Sequence, residues 1–315
     1  MNTETVKYII EDPKRLFSML GSRGLLNWLP DEQYIRLQFR LAMGYWPDLK
    51  NPRTYSEKLQ WLKLHDRNPL YTTLVDKYAV RQYIADKIGE EHLIPLVGGP
   101  WKNAEEIDFD ALPERFVLKC NHDSGGVIVC KDKSKLDVEA AKRKLNKRIG
   151  VNYYYANREW PYKNVEPCII AEQYMEDESG ELKDYKVFCF DGKAEMMFIA
   201  SDRNELDCET KFDFFDMNFR HLPFVNGHPN ASILPECPTG LQEMKLLAES
   251  LSQGLPHTRV DFYSVAGRVY FGEVTLYHWS GMMPYDPPAW DKQIGDWLKL
   301  PGDENGQGCC SEKER

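Results

Sequence analysis

Between Arg259 and Gly281 the chain reads RVDFYSVAGRVYFGEVTLYHWSG. Two runs of β-branched and aromatic residues flank Val265-Ala266-Gly267, a pattern that predicts a β-hairpin with a short loop. A three-residue loop, with Gly267 in the left-handed position, sets Ser264 opposite Arg268 and Tyr263 opposite Val269. It also sets Asp261 opposite Phe271 and Arg259 opposite Glu273. Side chains alternate along each strand, so Arg259, Asp261 and Glu273 fall on one face. Two carboxylates and a guanidinium on otherwise apolar strands are costly to bury without partners. Carboxylates so placed are hard oxygen ligands of the kind that hold Mg²⁺ against phosphates. A cross-strand ion pair on a solvated face also accounts for them. Taken alone, the hairpin favours the ion pair.

A chain of 315 residues, 42% hydrophobic and 12% aromatic, is long enough for two or three lobes. A net charge of -9 argues against a general nucleic-acid-binding surface. That charge is uneven: residues 1–70 carry eleven Lys and Arg against eight Asp and Glu, a balance of +3 that leaves -12 for the rest. None of the eight cysteines has C-x-x-C spacing, and most sit in apolar runs, which favours a reducing cytoplasm over a disulfide scaffold or zinc site. The first residues, MNTETVKYIIEDPKR, have acids where a signal peptide is basic, and no run is long enough to span a bilayer. These features predict a cytoplasmic protein with no transmembrane segment and no nucleic-acid partner.

Residues 1–70 read as helices: KYIIEDPKRLFSMLG, DEQYIRLQFRLAMG and TYSEKLQWLKL space apolar residues at helical intervals. Thr54 and Glu57 have capping-box spacing, and Gly21 and Gly44 read as stops. LFSMLGSRGLLNWL suits peripheral contact with a membrane surface, although a packed helical lobe is the better reading. Asp76 reads as the cap of DKYAVRQYIADKIG, which leaves Lys77 opposing the helix dipole unless a phosphate lies nearby. RFVLKCNHDSGGVIVC reads as strand, turn, strand, with Lys119 inside an apolar strand and a polar loop ending in Gly125-Gly126. The loop lacks Walker spacing.

Residues 134–148 read as a basic helix, and NYYYANREWPYKNVEP as either a binding surface or a packed connection. CIIAEQYM is a strand, LKDYKVFCFDGKAEMMFIA gives two more about an Asp191-Gly192 turn, and Asp184 and Lys186 share one strand face. GLQEMKLLAESLSQGL is a helix leading into the hairpin, and residues 302–315 have the composition of a disordered tail.

A strand lysine before a Gly-Gly loop, a strand ending in Glu, an acid opening the next strand, then R-x-D and G-E on a hairpin: this order resembles the ATP-grasp ligases. The match is closer to the TupA-like branch, associated with teichuronopeptide and capsular polysaccharide synthesis. NPRTYSEKLQWLKLHDRNPLY, LVDKYAVRQYI, FVLKCNHDSGG, REWPYKNVEP, IIAEQYMEDESGELKDYKVFCFDGK and RVDFYSVAGRVYFGEVT carry it, from about Asn51 to Pro301.

The resemblance implies an α+β ATP-grasp fold, two α+β lobes gripping ATP, with a helical N-terminal region at 1–70. Lobe A would span 71–170 and lobe B 171–301. It implies that Lys77 and Lys119 contact nucleotide phosphates under the loop Asp123, Ser124, Gly125 and Gly126. Glu172 would accept from the adenine amino group, the backbone of Tyr174 and Met175 would line the base, and Asp184 would hold the ribose. Lys186 would reach a phosphate, Asp261, Glu273 and Thr275 would bind Mg²⁺ (Mn²⁺ being the alternative ion), and Arg259 would neutralise the transferred phosphoryl group. Thr275 replaces an asparagine common at that position, and His278-Trp279 replaces a common Pro-Gly, which marks the acceptor side as distinctive.

The expected activity is ATP-dependent joining of a carboxylate to an amine through an acyl phosphate, one partner being a uronic-acid glycan or lipid-linked saccharide. The alternatives are a glycosyltransferase, a glycan kinase and a non-catalytic ATP-binding protein. For the first of these, the D-x-D spacing occurs at Asp108-Phe109-Asp110, while Asp213 in KFDFFD lacks it.

Overall fold

The structure is a computed structural model and describes residues 13–177, 182–201 and 209–302. The expected tail beyond residue 302 and the first residues of the first expected helix lie outside these.

The helices begin with α1 (Pro13–Ser22), which runs one residue past Gly21, and α2 (Asp31–Met43). α2 buries Tyr34, Ile35, Gln38 and Phe39, spaced so that one face of a 3.6-residue helix is covered. Within LFSMLGSRGLLNWL, Phe17 packs on Tyr34 with ring centroids 4.8 Å apart, while Leu25 and Trp28 are 59% and 75% exposed. At the start of α3 (Tyr55–His65) Thr54 and Glu57 make both halves of a capping box. α4 (Leu70–Val75) and α5 (Val80–Ile88) follow. α5 starts later than the sequence predicts. Asp76 instead accepts from the N–H groups of Tyr78 and Ala79 in the turn before it, so Lys77 precedes the helix. No helix among the described residues is long and apolar enough to cross a membrane.

Two antiparallel sheets organise the rest. β1 (Leu96–Trp101), β2 (Phe116–Cys120), β3 (Val127–Cys130) and β4 (Ile169–Gln173) form one, in the order β1-β4-β2-β3. α6 (Val138–Ile149) covers it through Leu145, closing a core with Phe116, Leu118 and Ile169. β5 (Asp184–Phe190), β6 (Lys193–Ser201), β7 (Lys211–Asp216), β9 (His257–Val265) and β10 (Arg268–Thr275) form the other, in the order β10-β9-β5-β6-β7. β8 (Val225–Asn226) pairs with β11 (Tyr285–Asp286).

The five-stranded sheet carries the larger core. Val187, Phe188, Met197 and Phe262 pack there with Leu59, Leu74 and Ile84 of the early helices. Met244 of α8 (Leu241–Leu251) and Ile294 of α9 (Ala289–Trp297) complete it. The tyrosine-rich stretch is a packed connection: Tyr154 in α7 (Tyr154–Asn157) and Arg158 are buried, and the Arg158 guanidinium lies 4.1 Å from the Tyr34 ring.

The hairpin differs from its predicted register. Val265 pairs with Arg268, so the loop is the two residues Ala266 and Gly267, with φ of 50° and 75°. Two positive φ values in succession make the primed type of turn whose twist matches that of the strands. A bulge then leaves Gly272 unpaired, and beyond it Glu273 opposes Asp261 and Thr275 opposes Arg259. The loop moves the register by one residue and the bulge by one more. Two shifts restore the alternation, so Arg259, Asp261 and Glu273 share a face as predicted, with different partners.

Candidate active site

The cleft between the two sheets gathers cations from four separate segments. Lys119 projects from β2 and meets Glu172 of β4, Nζ to Oε2, at 2.5 Å. The register places Lys119 opposite Ile170 and Val117 opposite Glu172, which puts lysine and glutamate on the same face. Arg81 of α5 approaches the other oxygen of Glu172 at 3.7 Å and donates to the Ile94 carbonyl at 2.9 Å. Lys77 donates to the Asp123 carbonyl at 2.9 Å and stands 3.4 Å from Glu273 Oε2, so it ties the phosphate-loop candidate to the hairpin.

On the five-stranded sheet, Lys186 of β5 pairs with Asp261 of β9 by register and by a direct salt bridge, and lies 3.7 Å from Asp184. Arg259 grips Asp261 with two N–H groups, at 2.7 and 2.8 Å, and reaches Glu273 at 3.3 Å. Its remaining terminal nitrogen is 2.8 Å from His278 Nδ1. A guanidinium only donates, so Nδ1 accepts, and Nε2–H donates to Asn226 Oδ1 at 3.0 Å. His278 is neutral in this arrangement. Burial holds its pKa well below the ordinary histidine value, and the charges of Arg259, His257 and Lys186 push it the same way.

The charge balance is set by these pairs. Burial raises the Glu273 carboxyl, but Lys77, Lys186, Arg259 and Lys119 outweigh it and bring the pKa down to about 2. Burial lowers Lys186, against the attraction of Asp261. Burial also works against the charge on Arg259, and Asp261 more than reverses it.

The loop of residues 123–126 is folded around its own aspartate. The N–H groups of Gly125 and Gly126 donate to Asp123 Oδ1 at 2.9 and 2.6 Å, and Arg148 donates to Oδ2 at 2.6 Å. Ser124 is exposed at the tip. Tyr174 and Met175 follow β4 directly, and Arg115 lies 4.2 Å over the Tyr174 ring. Thr275 ends β10. The contacts above link Lys77 with Asp123 and Glu273, Lys119 with Glu172, and Asp184, Lys186, Arg259, Asp261 and Glu273 with one another. Ser124, Tyr174, Met175 and Thr275 are placed by their position beside these elements alone. Asp261, Glu273 and Thr275 offer two carboxylates and a hydroxyl, an oxygen set that suits Mg²⁺, which uses one or two carboxylates together with substrate phosphates.

The profile of the TupA-like ATPgrasp family matches residues 57–299. The chain belongs to the TupA-like ATP-grasp family. Among solved structures it is similar to D-alanine–D-alanine ligase from Bacillus anthracis complexed with ATP, at 16% identity and a TM-score of 0.38. That similarity covers 65% of this chain and 54% of the ligase, so the chain spans about half the length of that enzyme. The D-alanine–D-alanine ligase of Helicobacter pylori matches at 15% identity, covering 78% of this chain and 69% of that one, with a TM-score of 0.40. The ATP-grasp ligase PsnB with minimal precursor matches at 11%, covering 88% and 75%, with a TM-score of 0.41. No curated protein matches the chain.

Three neighbours of this ATP-grasp cleft escaped the sequence reading. Arg81 lies in the first turn of α5, where the sequence reads as an ordinary amphipathic helix. Arg148 sits in a helix that reads as a solvated basic face. Asn226 lies on a two-residue strand with no sequence pattern at all.

Proposed function

We propose that this TupA-like ATP-grasp protein is an ATP- and Mg²⁺-dependent carboxylate–amine ligase. One observation carries the reading: Lys77, Lys119, Lys186 and Arg259, from four segments, converge on Glu172, Asp261 and Glu273 between two sheets. That arrangement suits a triphosphate and a divalent cation, because phosphoryl transfer depends mainly on positioning and charge neutralisation.

In the proposed reaction a carboxylate oxygen attacks the γ-phosphorus and the bond to ADP breaks. The amine then attacks the acyl carbon, phosphate leaves, and the amine loses a proton as the amide forms. Lys77 and Lys119 would exchange Glu273 and Glu172 for phosphate oxygens. Glu172 would then accept from the adenine amino group, with the backbone of Tyr174 and Met175 beside the base and Asp184 at the ribose. Asp261, Glu273 and Thr275 would hold Mg²⁺, which would neutralise phosphate charge there. Arg259 and Lys186, both buried, would face the transferring group. No side-chain nucleophile is needed. We place the reaction in the cytoplasm, with a uronic-acid glycan or lipid-linked saccharide as the acceptor class suggested by the branch.

The test is ADP release with paired carboxylates and amines. A ligase needs both substrates and frees phosphate. A kinase would leave phosphate on the product, an ATP-binding protein would release no ADP, and a glycosyltransferase would turn over a nucleotide sugar without ATP. The D-x-D spacing at Asp108 gives that last reading little support, because Asp108 Oδ1 accepts from the N–H groups of Asp110 and Ala111 in its own turn. Absence of ADP release across a wide panel would remove the ligase reading.

A further inference from the structure

The turn that follows the β10 strand is strained, and it rests on buried charge. Trp279 has φ 48° and ψ 25°, Ser280 has φ 57° and ψ 17°, and Gly281 has φ 63°. Three left-handed residues in a row, two of them with side chains, persist only where surrounding contacts over-determine them. Those contacts come from α3, a helix of the N-terminal region. Gln60 donates to the Ser280 and Gly281 carbonyls at 3.0 Å each. Lys63 donates to the Ser280 carbonyl at 2.8 Å, to Ser280 Oγ at 2.6 Å and to Gln60 Oε1 at 2.9 Å. Glu159, buried on the connection after α7, supplies a negative charge that attracts Lys63. Lys63 is 1% exposed and Glu159 6%.

A buried set of opposite charges is a poor way to stabilise a fold, since apolar replacements of similar volume are often neutral or better. Here it lies directly beneath the turn whose first residue, His278, accepts from Arg259. We infer that Lys63 and Glu159 are positioning residues of the phosphoryl-transfer site: they hold Ser280, and through it His278, in the one arrangement that aims Arg259 at Asp261 and Glu273. This rests on the ligase reading for the identity of the reaction, though not for the coupling itself. The helical region before the cleft is on this view part of the reaction machinery.

The deciding variant is Lys63→Met combined with Glu159→Gln, which removes both charges together and leaves neither one buried alone. Expected are a melting temperature within a few degrees of the unmodified chain and Mg-ATP affinity within about threefold. Turnover should fall at least thirtyfold, and amide hydrogen exchange at residues 278–281 should rise at least tenfold while β9 stays protected. A purely structural pair would instead lower the melting temperature and leave turnover per folded molecule unchanged, which overturns the inference. Unchanged exchange in the turn overturns it equally. If no substrate pair supports turnover in the unmodified protein, the ligase reading fails and the exchange measurement alone decides the coupling. Should the double variant not fold, Ser280→Ala keeps both charges and removes only the hydroxyl contact of Lys63. A threefold or greater loss of turnover with raised exchange is then expected, and no change in either overturns the proposal.

Discussion

Arg259 and Asp261 lie two positions apart on one strand, yet their side chains form a two-pronged salt bridge of 2.7 and 2.8 Å that is almost wholly buried. Neighbours at i and i+2 share a face of a strand, and β9 is flanked on that face by Lys186 on one side and Glu273 on the other. Asp261 is the hub: Arg259 and Lys186 both use it. Glu273 is at the rim, its side chain a third exposed at 34%.

This difference separates the two metal-ligand candidates. Asp261→Asn and Glu273→Gln should each reduce Mg-dependent ATP turnover by at least a hundredfold. Asp261→Asn also leaves two buried cations facing each other, and removing one partner of a buried pair costs ~3–5 kcal/mol. Glu273→Gln should cost much less stability. Thermal melting beside turnover checks the split; equal stability losses would place the hub wrongly.

Lys119 is held by Glu172 before any nucleotide arrives, so ATP has to exchange one carboxylate partner for a phosphate one. Charge-assisted hydrogen bonds contribute about 1.5–3 kcal/mol, so Lys119→Met should weaken ATP binding by roughly ten- to a hundredfold. Arg81→Met acts only through Glu172 and should weaken it less. Titration calorimetry gives both numbers, and a larger effect at Arg81 would reverse the assignment.

Acid sensitivity follows from the buried histidines. His257 Nδ1–H donates to the Cys189 carbonyl at 3.0 Å, so in the neutral ring Nε2 accepts from the Tyr55 hydroxyl at 2.9 Å, and burial brings its pKa down to about 3. The unfolded chain takes up that proton near pH 6.5 and the folded chain does not. Stability from keeping His257 neutral is therefore complete above about pH 6.5 and is lost as pH falls toward 3, by ~1.4 kcal/mol per pH unit. Urea midpoints at pH 7 and pH 5 should differ in the unmodified protein and differ less in His257→Gln. An equal pH dependence in the two proteins would show that other groups govern it.

What could be read in advance was whatever local pattern determines. Thr54 and Glu57 announce a capping box, Asp191-Gly192 announces a turn, and alternation along β9 places Arg259 and Asp261 together whatever the partner strand does. What could not be read depends on contacts remote in sequence. Lys63 looks like any exposed lysine between two leucines, and only its spacing of four from Leu59 hints that it faces inward. Its partners at 159 and 280 come from chain segments that share no pattern with it. His278-Trp279 in place of a common Pro-Gly marks the segment after Tyr277 as distinctive, but its left-handed backbone is set by tertiary contacts.

The hairpin shows how a wrong register can still place a face correctly, and it yields the sharpest test. Without the bulge, Gly272 would oppose Asp261, and Glu273 would oppose Val260 and point to the far side of the sheet. Gly272 supplies the irregularity at a tight spot: a Cβ there would lie 3.1 Å from both the Asp261 carbonyl and the Tyr263 ring. Valine favours regular pairing and has no room in the bulge. Gly272→Val should therefore cut Mg-dependent turnover at least tenfold, out of proportion to any change in the urea midpoint. Deleting Gly272 removes the bulge and the extra residue together, which keeps Glu273 opposite Asp261. The deletion should accordingly retain more activity than the substitution, an order opposite to the usual one for these two kinds of change. If Gly272→Val turns over ATP as fast as the unmodified chain, the bulge is not what aims Glu273 into the cleft.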